Sequence, residues 1–160
     1  MRGESIYYMR GLNVGTITVF NRYDAAANDV RYYATIIHGA TLQVDKAASV
    51  STSGLKDADS MWCSIPYENH VDHITVDGYL HLSPKEWASQ VGDAREQSVT
   101  FDEGRDILLD GAWDGPAVVN ADEYDRVGFL GHLRSRFDGV YLINSVARYD
   151  LIPHFELGGA

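Results

Sequence analysis

The sequence predicts a mainly β protein with one or two short helices and long loops. Three observations carry this expectation. Alternating stretches rich in β-branched and aromatic residues recur from GTITVFN (15–21) to the last residues of the chain. Turn-forming punctuation separates them: DAAAND (24–29), Gly39 and the small polar run STSGLKDADS (51–60). Helical patterns are confined to short segments. Residues 1–13 read as an N-terminal arm, and residues 14–160 as a single β domain.

In the arm, Ile6, Tyr7, Tyr8 and Met9 are costly to leave in water, so they are expected either at an interface with a neighbour or folded back on the chain's own domain. Over 15–21, Ile17 and Val19 share one face against Thr16, Thr18 and Phe20, which defines the first strand. DVRYYATIIHG (29–39) alternates Val30, Tyr32, Ala34 and Ile36 against Arg31, Tyr33, Thr35 and Ile37, and Gly39 is expected to end it. A third strand then turns Leu42 and Val44 inward, and in SMWCSIPY (60–67) a fourth places Met61, Cys63, Ile65 and Tyr67 on one side. Pro66 puts the end of that strand at a sheet edge, because proline cannot donate to a ladder. In LSPKEWAS, Ser83 caps a short helix beginning at Pro84, and Glu86 three residues on reaches back to the cap's own amide. Residues 98–101 and 106–110 read as a hairpin turning near Glu103-Gly104. Asn120 or Asp122 is placed to cap a helix carrying Tyr124, Val127 and Leu130. VYLINSVARYDLIPHFELGG (140–159) closes the chain as two strands, the second with Phe155 and Leu157 on one side, and their task is to seal an otherwise open edge.

The chain of 160 residues is one domain's worth, and its 45% hydrophobic and 22% charged residues describe an ordinary globular protein. Apolar runs fall far short of the about 18 residues a membrane-spanning helix needs. No secretion signal is expected, because Glu4 and Ser5 interrupt the stretch between Arg2 and Arg10. A single cysteine, Cys63, excludes an intrachain disulfide and a four-thiolate zinc site, consistent with manufacture inside a cell. The formal net charge of −10 weighs against tight sequence-independent binding of nucleic acid, which draws on Lys and Arg displacing counterions.

Catalytic patterns are sparse. CSIPYENHVDH gathers Cys63, Glu68, His70, Asp72 and His73, but alternation assigns Cys63 to a core and leaves His70, Asp72 and His73 on an interstrand loop, where an interface role is expected. No Gly-x-Ser-x-Gly elbow, calcium loop or phosphate cradle occurs. The expectation is no enzyme, no catalytic residue, no cofactor and no metal.

Three stretches in order, LHLSPKEWAS, VTFDEGRDILLDG and YLINSVARYDLIPHFELGGA, together with the strand GTITVFN, resemble a family of short tailed-phage structural proteins from the joint between head and tail. This sequence departs from that family's pattern where Arg105 separates Gly104 from Asp106, and at the turn near Arg148 to Asp150. The resemblance implies a virion protein of the neck, made in the host cytoplasm: a small β-barrel serving as a head-closure or stopper ring, sixfold or twelvefold. Its neighbours would be the portal or adaptor and the tail terminator, with packaged DNA passing without specific binding and no membrane involved. A tail terminator, or a minor tail or capsid protein, is the alternative within that class. A small β-barrel ligand-binding protein or enzyme is the alternative outside it. Acidity suits such a ring, since a basic lining holds passing phosphate.

Overall fold

In the computed structural model, which describes residues 14–46, 59–124 and 126–160, the chain opens on a long antiparallel hairpin. Strand β1 (Val14–Ala26) turns at Ala27 and Asn28 into β2 (Asp29–Asp45), with Ala26 opposite Asp29 and Val14 opposite Thr41. Gly39 does not end the second strand as predicted. It lies at φ +82° in a bulge where Gly15 pairs with Ala40 and Thr16 with His38, so the second and third predicted strands are one. The extra residue rephases the alternation, and the inward-facing apolar set becomes Ile37, Ala40, Leu42 and Val44.

Strand β3 (Ser60–Pro66) buries Met61, Cys63 and Ile65 as the alternation predicts, with Tyr67 following on the same side. Pro66 lies beyond the last pair with β2, Thr41 with Ser64, where its missing N–H costs that ladder nothing. A small second sheet follows: β4 (Glu68–Asn69), β5 (Ile74–Val76), β6 (Tyr79–His81) and β7 (Ser98–Val99), the last parallel to β6. Between β6 and β7 lie helix α1 (Pro84–Ala88) and a 3-10 segment, Gly92–Gln97. The predicted hairpin of 98–101 with 106–110 is therefore not formed. Strand β8 (Ile107–Asp110) pairs instead with β1 and with residues Val140–Leu142 of a later strand, because its apolar residues alternate between two separate cores.

Strand β9 (Val118–Asn120) lies along the first half of β2. The predicted helix after Asn120 is a 3-10 turn, Ala121–Tyr124, with Asn120 Oδ1 accepting from Asp122 N at 3.0 Å. The α-helix proper, α2 (Gly128–Arg136), begins later, and Val127 stays exposed ahead of it. The chain ends in β10 (Val140–Tyr149) and β11 (His154–Gly159).

Pairing runs β1–β8–β10–β11–β3–β2 and returns to β1, so six antiparallel strands close into a ring. The C-terminal hairpin completes it, joining β8 to β3. Ile17, Val19, Ile37, Cys63, Ile65, Leu108, Ile143, Phe155 and Leu157 fill the interior, each about 1.5–3 kcal/mol more favourable there than in water. A second cluster lies outside the ring: Phe20, Tyr32, Ile107, Leu109 and Val140 pack under Trp113 and under Phe129 and Leu133 of α2. Phe20 sits at its centre, with Trp113 and Phe129 edge-on at 5.4 and 5.1 Å. One outer side of the barrel is thus roofed by α2. The opposite side is not.

Candidate assembly surface

The unroofed side is built from the second half of β2, β3, β11 and the second half of β10. Strict pairing aligns its outward residues in three cross-strand rows. Gln43, Trp62, Gly158 and Ser145 form one; Thr41, Ser64, Glu156 and Ala147 the next; Pro66, His154 and Tyr149 the third. All are half-buried or exposed. Side chains at the centre are small, so the surface is shallow. The Trp62 indole N–H donates to Glu156 Oε1 at 3.2 Å, and His154 Nε2 bonds Glu156 Oε2 at 3.0 Å. That pairing holds the Glu156 carboxyl below its ordinary range and lifts His154 above its own.

Beyond the third row the β10–β11 turn carries Leu151, 97% exposed, and Ile152, 74% exposed. Turns favour Gly, Pro, Asn, Asp and Ser, so two bulky aliphatic side chains at this apex call for an explanation. Polar bonds hold the turn in place from behind. The Tyr67 hydroxyl meets the Tyr149 carbonyl at 3.1 Å and also bonds the Asp150 carboxylate, Arg148 Nε donates to Asp150 at 3.1 Å, and His154 Nδ1 bonds the Ile152 carbonyl at 2.7 Å. The His154 ring stacks on Tyr149 at 5.0 Å. Leu151 and Ile152 are therefore presented by an ordered support. A groove of about 450 Å³ runs from Ile152 past Pro66 and Gly39 to Val14. Of the eight large apolar residues exposed among the described ones, five belong to this side: Val14, Trp62, Tyr149, Leu151 and Ile152. Such concentration makes this side the candidate for contact with another molecule, whereas single scattered apolar residues carry no such weight.

Other predicted residues lie elsewhere. Ile6, Tyr7, Tyr8 and Met9 fall outside the described residues. His70 and His73 stack on each other at 4.5 Å on the exposed loop between β4 and β5, where His73 Nδ1 bonds Asp72 at 2.6 Å and His70 Nε2 bonds Thr75 at 3.0 Å. The shallow cavity beside them also includes Ser83, Glu86 and Arg148. Cys63 is apart from them, inside the barrel, its thiol pushed up to about 12 by burial. Ser83 and Glu86 form the predicted reciprocal cap. Glu86 N donates to Ser83 Oγ at 3.3 Å, and Glu86 Oε1 accepts from Ser83 N at 3.3 Å.

The sequence reading missed Asp106, which is 1% exposed. Its carboxylate accepts from Asn21 Nδ2 at 2.8 Å, Arg22 N at 2.9 Å and Asp102 N at 2.8 Å, and burial pushes its pKa up to about 7. Asn21 also spans to Thr100, donating to its carbonyl at 2.6 Å and accepting from its N–H at 3.3 Å. This cluster ties β1 to the loop before β8. A single Asp in an acidic chain gives no sign of that in sequence.

A protein-family model described as a family of unknown function, DUF6751, matches residues 12–160. No curated protein and no solved structure matches the chain.

Proposed function

The chain belongs to the DUF6751 family, a family of unknown function, and we propose that it is a non-enzymatic structural subunit, one copy of a homo-oligomeric ring in the neck of a tailed phage. The observation that carries the structural role is the unroofed sheet side with its ordered apolar turn, Leu151 and Ile152. A closed barrel has no long unpaired edge to invite uncontrolled pairing, so contacts between copies fall to its faces and turns. The occupant of this side is a second copy of the chain. The neck placement, as head-closure or stopper between portal or adaptor and tail, rests on the resemblance of LHLSPKEWAS, VTFDEGRDILLDG and YLINSVARYDLIPHFELGGA to that class. The net charge of −10 supports it, because an acidic ring does not retain passing DNA.

Trp62→Asp and Ile152→Asp test the role. Both positions face solvent, so the variants are expected to fold like the parent by circular dichroism while losing self-association in sedimentation and binding to the assembled portal. Unchanged association in both variants overturns the surface. Cryo-electron microscopy of virions lacking density for this chain between portal and tail overturns the placement.

One observation bears on the ligand-binding alternative. A cavity of about 150 Å³ between Tyr23, Pro84, Trp87, Thr100 and Asp106 is bordered by Trp87 and Thr100, whose Nε1 and Oγ1 are buried without a partner. Ligand pockets run to about 300–1,000 Å³, whereas this volume equals about five water molecules at about 30 Å³ each. Its size is that of a small polar cavity able to admit water rather than of a ligand pocket.

A further inference from the structure

The unroofed side owes its β10 residues to a bulge. Tyr141 and Ile143 point into the barrel, and regular alternation from them would carry Ser145, Ala147 and Tyr149 inward as well. Between Ile143, paired with Gly159, and Ser145, paired with Gly158, the strand holds one extra residue, Asn144, which reverses the phase. Val146 then packs on the barrel core, while Ser145, Ala147 and Tyr149 join the three outward rows. The opposite edge of β10 shows what holds this bulge in place. Strand β8 pairs with β10 only from Val140 to Leu142, so beyond Leu142 no strand lies along that edge among the described residues. The turn of residues 102–106 takes its place. The Asp106 carbonyl accepts from Ile143 N at 2.9 Å, Gly104 N donates to the Ile143 carbonyl at 2.7 Å, and Glu103 Oε2 accepts from Val146 N at 2.9 Å. These bonds straddle the extra residue, and the only one beyond it comes from a side chain. The turn is itself anchored: the Asp106 carboxylate takes Asp102 N and Arg22 N, and Arg105 pairs with Asp24 at 3.1 Å and with Asp102 at 3.4 Å.

Resting on the ring reading above, we propose that Glu103 is a positioning residue of the assembly surface: its carboxylate pins the bulge of β10 in the phase that presents Ser145, Ala147 and Tyr149 to the neighbouring copy. Glu103 stands in none of the three rows and acts through Val146 N. An exposed glutamate in an acidic chain is ordinarily solvated, whereas this one accepts from a backbone amide 43 positions away. A hydrogen bond to an ionised acceptor is about twice as strong as one between neutral groups. Once it is removed, the remaining bonds to the turn all lie at Ile143, before the extra residue, and nothing on that edge fixes the strand after it. A slip of one residue there turns every following side chain to the other face.

Glu103→Ala and Glu103→Gln test this in the full chain, since glutamine keeps an oxygen acceptor at the same reach and alanine does not. Hydrogen exchange at the Val146 amide is expected to accelerate by about tenfold or more in Glu103→Ala and to stay near the parent's in Glu103→Gln. Self-association, read by sedimentation, is expected to weaken by about tenfold in Glu103→Ala and to be restored in Glu103→Gln. Ser83→Ala is the control: it removes a cap on α1, outside the assembly surface, and is expected to leave association unchanged. Unchanged exchange at Val146 in Glu103→Ala overturns the proposal, because the bulge then does not depend on this carboxylate. Accelerated exchange with unchanged association overturns it while the ring reading stands, Ile152→Asp still dissociating the protein. Equal weakening by Ser83→Ala and Glu103→Ala overturns it in favour of a general loss of stability. Association unchanged in Trp62→Asp and Ile152→Asp means that the ring reading itself fails, and the positioning role falls with it.

Discussion

Two titratable groups, the buried Asp106 and the half-buried His81, oppose each other across the acidic range, and separating them makes a quantitative prediction. Asp106 is pushed from an ordinary value near 3.8 up to about 7 by burial, a shift its three N–H donors only partly offset. Its ionisation therefore costs the folded state about 4 kcal/mol: nothing below pH 4, where it is neutral in both states, and the full amount above pH 7. The His81 ring lies tilted against Phe155 at 4.5 Å and against Phe101 at 5.4 Å. Burial, aided by Arg148, brings its pKa down from 6.5 to about 4. Its stabilising contribution is present above pH 6.5 and is lost as pH falls toward 4, at most about 3 kcal/mol. As pH rises from 4 to 6.5, Asp106 lowers stability while His81 raises it, so the parent changes little through these two groups. In Asp106→Asn the His81 slope stands alone, and stability rises by up to about 3 kcal/mol over that interval. In His81→Phe it falls by up to about 4 kcal/mol on the way to pH 7. Urea unfolding at half-unit pH steps reads both. The depressed carboxylates of Asp24, Asp72, Asp150 and Glu156 add a background common to all three proteins, which cancels in the differences. Parallel curves for parent and Asp106→Asn between pH 5 and 7 refute the reasoning.

The remaining expectations concern the scaffold. Ser83→Ala removes the acceptor for Glu86 N and is expected to cost about 1 kcal/mol in denaturant midpoint, independent of concentration. Leu157→Ala empties a fully buried site between β3 and β10 and is expected to cost about 2–5 kcal/mol, measured by thermal or urea unfolding. Gly39→Ala meets no neighbouring atom but must hold φ +82°, so it is expected to cost about 1–2 kcal/mol, from backbone conformation alone. Gly159→Ala is the converse case. Its added methyl comes within 2.5 Å of the Leu142 carbonyl oxygen, and hydrogen exchange at the β10–β11 junction is expected to accelerate.

The β character and the inward faces of 15–21, 60–67 and 154–159 were legible because each strand has one side in the barrel interior, which imposes a period of two. Around β8 that clarity fails. Ile107, Leu108 and Leu109 are all buried, since the barrel core lies on one side and the α2 roof on the other, so the segment reads as an apolar run with no partner specified. Bulges hid the rest. At Gly39, and between Ile143 and Ser145, an extra residue switches the phase, and a fixed alternation carried across either point assigns the wrong side. The Ser83 cap was readable because it is purely local. The assembly surface was readable only in part: Leu151 and Ile152 stand openly in the turn YDLIPH, but their alignment with Trp62, Pro66 and Val14 depends on the pairing of β1 with β2, β2 with β3 and β3 with β11, between residues up to about 100 positions apart.

Closing the ring with the hairpin of β10 and β11 sets a constraint on biosynthesis. Strand β3 finds its second neighbour only when residues 154–159 have left the ribosome, almost a hundred positions after Met61. At about 5–20 residues per second that leaves β3 waiting about 5–20 seconds with one flank unsatisfied. A nascent chain stalled before His154 is thus the species most exposed to wrong partners, and a factor that shields strands during translation would act there.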